Sequence, residues 1–267
     1  MRSAADLMAT ARGTLAKWPA LWLPPILMNM AQSLSGIPLT SLPAQVVTGI
    51  SANLGAMIIN AGWLAMIGVA LTGEKPTFEA FSSGINRRWG AIVSGSLVFV
   101  LLLALMLAGL VWYGDTQYGT TTLREWYQSI EKLTAAELNA ALQPEKLPAA
   151  IKSWMYLLML WMTAAAGLTF LLLYWQPLVV LRDMPWWTAW AASIRMVVTR
   201  FVQTLGFALF HLIAFAAGLS ITAGGGPILA LFGLTMLLFV SIFFKILYAT
   251  VVDDAYPAPG ATVDVKA

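Results

Sequence analysis

"GAIVSGSLVFVLLLALMLAGLVWY", Gly90 to Tyr113, decides the fold: 24 consecutive residues without Asp, Glu, Lys, Arg or His. About 20 such residues suffice to carry a helix through a hydrocarbon core of roughly 30 Å. The run has no period-2 alternation of polar and apolar side chains, which rules against a barrel strand. In lipid the backbone must satisfy its own hydrogen bonds, and a helix does so within one segment.

Similar runs place six spans along the chain, at about 18–36, 46–72, 90–113, 152–175, 201–222 and 227–251. Pro19, Pro24 and Pro25 interrupt the first of them. With 60% hydrophobic and only 10% charged residues, the 267-residue chain has too little charge to cover a water-exposed surface. The expected fold is therefore all-α: one polytopic membrane helix bundle over residues 1–267, with about six transmembrane helices. Polar residues through Lys17 delay the first apolar run, which argues against a cleaved signal peptide.

Basic residues set the orientation. Arg2, Arg12 and Lys17 precede the first span. Lys75, Arg87 and Arg88 follow the second, and Arg182, Arg195 and Arg200 follow the fourth. The loops between spans one and two and between five and six carry no charge. Excess Lys and Arg mark the cytoplasmic face, so both termini, including the tail at 253–267, are expected in the cytoplasm of a cell (inner) membrane. Trp18, Trp89, Trp112, Trp154 and Trp175 fall near the expected interfaces. Placed at helix ends, the basic residues behind the net charge of +3 read as topology signals and give no support for nucleic-acid binding.

Two cytoplasmic stretches share a pattern. "FEAFSSGINRRW" (78–89) sets Phe78, Phe81, Ile85 and Trp89 on one helical face, and "WTAWAASIRMVV" (187–198) does the same with Trp187, Trp190, Ile194 and Val198. Each reads as an amphipathic helix in the membrane surface, running through Arg88-Trp89 or Arg200-Phe201 into a span. Residues 1–17, with Leu7, Met8, Ala11 and Leu15 before Lys17-Trp18, give a fainter third version. The arrangement suggests three copies of an interfacial helix followed by a membrane hairpin, as in transporters built from parallel repeats.

In "PTFEAFSSGINRRWGAIVSGSL" and "QPLVVLRDMPWWTAWAASIRMVVTRFVQTLG" the chain resembles a bacterial six-span membrane-domain superfamily. That group includes the membrane portion of glycerophosphodiester phosphodiesterases. The likeness covers about half the chain. It implies a membrane fold; the catalytic phosphodiesterase domain has no counterpart here, so its activity does not carry over.

Residues 114–149 form a polar excursion expected on the outer face as a helical hairpin. "TLRE" (122–125) and "TAAE" (134–137) both match a capping box. The hairpin lies on the bilayer or caps the bundle, or else serves as a docking surface or lid.

Candidate polar sites lie within the spans. His211, the only histidine, sits mid-span in "FALFHLIAF" and reads either as a proton carrier or ligand, or as a neutral ring making one interhelical hydrogen bond. Asn53 and Asn60, seven apart, share a helical face and either pair with His211, line a polar path, or hold helices together. Lys245 either snorkels to the interface or enters a buried pair or an anionic-ligand contact. Arg87, Arg88, Arg195 and Arg200 are candidate lipid-headgroup contacts. "TAGGGPIL" (222–229) lacks the Lys-Ser/Thr of a phosphate loop and reads as a tight outer turn.

With no cysteine and one histidine, no thiolate or multi-histidine metal site and no thiol nucleophile can be assembled. No catalytic residue, cofactor or metal is assigned. The expected function is non-enzymatic: a carrier-like or accessory subunit handling a lipid, a small solute or a larger membrane complex. Its partners are membrane lipids, with a protein partner reached through 114–149 or lipid-facing tryptophans. A membrane-embedded enzyme acting on lipid is the rival.

Overall fold

The computed structural model describes residues 2–33, 42–130, 134, 137, 141, 143, 145, 147–223 and 226–257. Among these residues the regular elements are all helical: α1 (Ala4–Lys17), a 3-10 turn (Pro19–Trp22), α2 (Leu23–Ser33), α3 (Leu42–Leu71), α4 (Phe78–Tyr118), α5 (Thr120–Ile130), α6 (Ala149–Leu171), α7 (Trp175–Leu181), α8 (Trp186–Thr199), α9 (Phe201–Ala223) and α10 (Pro227–Ala255). Among the described residues five segments are long and apolar enough to cross a membrane: Thr48–Leu71, Phe78–Tyr118, Ala149–Leu181, Phe201–Ala223 and Ile228–Ala255.

The expected first span is not a single helix. Pro19 follows the end of α1 at Trp18, and a 3-10 turn precedes α2. The 11 described residues of α2 reach about 16 Å. Residues 34–36 of that expected span lie outside the described residues.

The chain divides into two compact units, Met1–Ser96 with Leu171–Ala267, and Leu97–Phe170. In the first, α10 is the core element. Its inner half buries Ile242, Phe244, Ile246, Leu247, Ala249, Val251 and Val252, with α1, α3, α7 and α9 packed around it. The amphipathic face of α1 is covered: Leu7 and Ala11 are fully buried, and α1 lies on α10. Residues 4–17 are therefore helical, and their apolar face is taken by protein instead of lipid. A capping box unrecognised in the sequence starts α1. Ser3 Oγ accepts from the Asp6 amide, and the Asp6 carboxylate accepts from the Ser3 amide at 3.2 Å and from its hydroxyl at 2.6 Å. These bonds, the hydroxyl's first, hold the Asp6 carboxyl below its ordinary pKa.

The second and third repeat copies differ. Residues 187–198 do form a separate helix, α8, ended at Arg200 (φ −118°, ψ 33°), with Trp187, Ile194 and Val198 exposed. Residues 78–89 are the first turns of the 41-residue α4 instead. Nothing interrupts that helix at Arg88-Trp89, since no proline and no positive φ occurs before Gly119 (φ 73°). Close packing of α3 on the start of α4 depends on Gly62, where a Cβ would stand 2.6 Å from the Phe81 ring and 2.8 Å from its carbonyl oxygen.

The second unit holds the rest of α4, α5 and α6. Trp161 Nε1 donates to the Leu103 carbonyl at 3.1 Å, and Trp154 Nε1 to that of Gly119 at 3.4 Å. A cavity of about 330 Å³ lies among Leu110, Leu123, Trp126, Trp154 and Leu158. "TLRE" makes no capping box, because Thr122 sits inside α5. The preceding Asp115 caps instead, accepting from the Thr120 amide at 2.8 Å. "TAAE" does close its box, with Glu137 accepting from the Thr134 amide at 2.9 Å. Most of the expected second hairpin helix, and residues 224–225 of the "TAGGGPIL" turn, lie outside the described residues.

Candidate intramembrane polar site

In the first unit, α3, α7, α9 and α10 bring polar side chains together in two clusters. The first joins three helices through one oxygen. Gln176 Oε1 on α7 accepts from Asn60 Nδ2 on α3 at 2.9 Å and from Lys245 Nζ on α10 at 3.2 Å. Asn60 is 4% exposed, and its Oδ1 has no hydrogen-bond partner among the described residues. Nor is any carboxylate among them within salt-bridge distance of Lys245. Lys245 lies ten residues before the end of α10, about 15 Å along the helix. A cation at that depth, bonded to the one neutral amide of Gln176, keeps two N–H donors for something else.

The second cluster surrounds His211. Its ring stacks on Phe244 (centroids 4.3 Å apart, 7° between planes), and Nδ1 lies 3.2 Å from the Tyr248 hydroxyl. Tyr248 meets the edge of Tyr174, whose hydroxyl is 3.0 Å from Thr204 Oγ1. Ser193, fully buried, accepts from the Tyr174 amide and donates to the Leu171 carbonyl, tying α8 to the α6–α7 corner. Tyr174 and Thr204 are fully buried and Tyr248 nearly so. This is a satisfied aromatic–hydroxyl network.

Of the sequence candidates, Asn60 and Lys245 meet at Gln176, and His211 finds Tyr248 instead of an asparagine. Asn53 joins neither: it is exposed and donates to the Gly49 carbonyl of its own helix at 2.8 Å. Asp253, eight residues beyond Lys245 on α10, is taken by Arg182 (2.6 Å) and approached by Arg2 (3.6 Å), so it forms no buried pair with the lysine.

Arg200, a candidate headgroup contact, is nearly buried and bonds Asp254 at 2.9 Å. Arg2 also reaches Asp254, at 3.4 Å, and Arg182 donates to the Tyr256 carbonyl. Together these bonds clasp α1, the ends of α7 and α8, and α10 at one end of the unit. Arg88 pairs with Asp183, Arg87 lies 3.7 Å from the same carboxylate, and Arg195 is exposed. Gln176, Tyr248 and Asp254 went unrecognised in the sequence. A lone Gln at a helix start, and a Tyr and an Asp near a helix end, carry no motif of their own.

No group of three His, Cys, Asp or Glu side chains converges among the described residues. The helices and the clusters they bury define an all-α, multi-pass membrane protein. Compared with known families, characterised proteins and solved structures, the chain matches none.

Proposed function

We propose that this chain is a non-enzymatic, carrier-like protein of the cell (inner) membrane that binds a lipid or small anionic solute among α3, α7 and α10. The observation behind this reading is the Asn60–Gln176–Lys245 cluster. Ionisable groups within membrane spans are expensive, and their retention usually follows a pathway or ligand. Here the ammonium bonds the Gln176 amide and pairs with no carboxylate among the described residues, so a counter-charge supplied by a ligand would lower the cost of keeping Lys245 inside. The 3-10 turn that separates α1 from α2 supports the same reading, because interrupted helices commonly flank carrier sites.

The positive-inside pattern supports cytoplasmic termini. The bonds from Arg2 to Asp253 and Asp254 support a common side for both, since they hold the two ends of the unit together. In reconstituted vesicles the protein should accelerate transbilayer movement of at least one member of a panel of anionic amphiphiles and small carboxylates. Lys245→Gln should abolish that acceleration without loss of helix content. Rates equal to those of protein-free vesicles across the panel would sink the proposal.

An accessory-subunit role is the second reading. It is favoured by the apolar side chains that α4 and α6 leave exposed in the second unit, among them Leu101, Leu105, Trp112, Tyr156, Met159 and Met162. A stoichiometric partner seen by native mass spectrometry in mild detergent would select it.

A further inference from the structure

The first unit carries an open groove of about 710 Å³ between α2, α9 and α10, within the range of small-molecule sites. Ile26, Asn29 and Met30 form one wall, Phe215 the second, and Leu234, Thr235, Leu238 and Ser241 the third, so three polar side chains stand among the apolar ones. Along α10 the helix face behind the third wall continues past Ser241. Positions 234, 238, 241, 245 and 248 recur at steps of four and three and therefore share one helical face. Going inward along it, Leu234 is exposed, Leu238 half-buried, Ser241 exposed, Lys245 half-buried and Tyr248 nearly buried. The second wall connects as well, because the Phe215 ring meets His211 edge-on and His211 bonds Tyr248. The lining of the groove stops at Ser241, and the same helix face continues one turn further to Lys245, whose ammonium group meets Gln176.

We infer that this groove binds an anionic lipid, its acyl chain along Ile26, Met30, Leu234 and Leu238 and its headgroup oxygens on Lys245 Nζ. The order of the side chains selects the occupant. A small hydrophilic anion would leave Ile26, Met30, Leu234 and Leu238 without a partner, and a neutral lipid would leave Lys245 without its counter-charge. The inference rests on the carrier-like reading and names its substrate class.

The test uses the full chain in phosphatidylcholine nanodiscs with a diazirine-bearing palmitic acid, at a pH where the carboxyl is ionised. Photolabelling is expected on the groove-lining segments of α2 and α10, and the methyl ester of the same probe should label them about tenfold less. Lys245→Gln should cut labelling by the acid about tenfold, the usual size for a lost bond to a charged group. Lys245→Arg should keep most of it. Ser241→Trp, which fills the groove and leaves the cation in place, should block the acid and serves if Lys245→Gln does not fold.

Equal labelling by acid and ester, or labelling indifferent to both Lys245→Gln and Ser241→Trp, overturns the inference. Protection by inorganic phosphate alone overturns the lipid assignment in favour of a free anion. Flux in vesicles without groove labelling would sink this inference and leave the carrier reading standing; labelling without flux would do the reverse.

Discussion

Asp254→Leu should be among the most damaging single changes in the chain, although it touches no candidate ligand site. The Asp254 and Arg200 side chains are only 9% and 6% exposed, and they meet at 2.9 Å. Removing the carboxylate leaves the guanidinium buried without its counter-charge, a loss of about 3–5 kcal/mol for buried pairs. The second partner, Arg2, is 41% exposed and can return to solvent, so the lower end applies, about 3 kcal/mol. That corresponds to roughly a hundredfold in the folded-to-unfolded ratio. Replacing both members, Arg200→Met with Asp254→Leu, removes the unpaired charge and should recover most of the loss. The control is Arg87→Met, whose ion pair is exposed on both sides (71% and 60%) and should cost less than about 1 kcal/mol. Unfolding in detergent micelles, followed by the fluorescence of the twelve tryptophans, compares these variants and Arg200→Met alone with the parent chain. Additive losses in the double variant, or an Arg200→Met no worse than Arg87→Met, would refute the view that this clasp is a desolvated pair.

His211→Phe keeps the stack on Phe244 and loses one hydrogen bond, so it should cost below about 1 kcal/mol, whereas His211→Ala should cost about 2–4 kcal/mol in lost packing; equal losses by the same unfolding assay would assign the ring a different role. Gly62→Ala drives a methyl into the Phe81 ring and backbone and should destabilise by about 1–3 kcal/mol, while Gly55→Ala on the same helix meets nothing within 4 Å and should be neutral or stabilising. The depressed pKa of Asp6 means that its capping bonds are fully present above the unfolded carboxyl value near pH 4 and are lost as the pH falls through the lower folded value. Hydrogen exchange at the amides of the first turn of α1 should therefore accelerate, relative to Asp6→Asn, only on that acid side. Because the chain has no cysteine, single cysteines at Ser129 and Tyr256 can be labelled in intact cells, with the first expected to react outside and the second only after permeabilisation.

What the sequence made legible follows the strength of each physical constraint. A run such as 90–113 has one low-energy solution in lipid, so the helices carrying spans two to six were legible from composition and length alone. Helix ends were harder, because they turn on single contacts. "TLRE" and "TAAE" have the same pattern, yet only the second closes a box. Asp115, five residues upstream of Thr120, captures the start of α5 first. The interfacial helices show the same limit: α1 and α8 share an amphipathic pattern, but only the partner each face meets decides whether it touches lipid or α10.

Partner choice also governs the polar residues. Burial made His211, Asn60 and Lys245 conspicuous, since each must find company. Which company they find depends on where α7 delivers Gln176, a residue with no periodic or charge signature. Arg200 and Asp254 illustrate the converse. Each alone reads as an ordinary interfacial charge, 54 residues from the other, and only tertiary packing turns them into a buried pair. Charges on helix ends therefore divide by burial into topology signals, such as the exposed Arg195, and structural clasps, such as Arg200. A headgroup role is open to the first kind and is closed to the second for as long as its carboxylate stays in place.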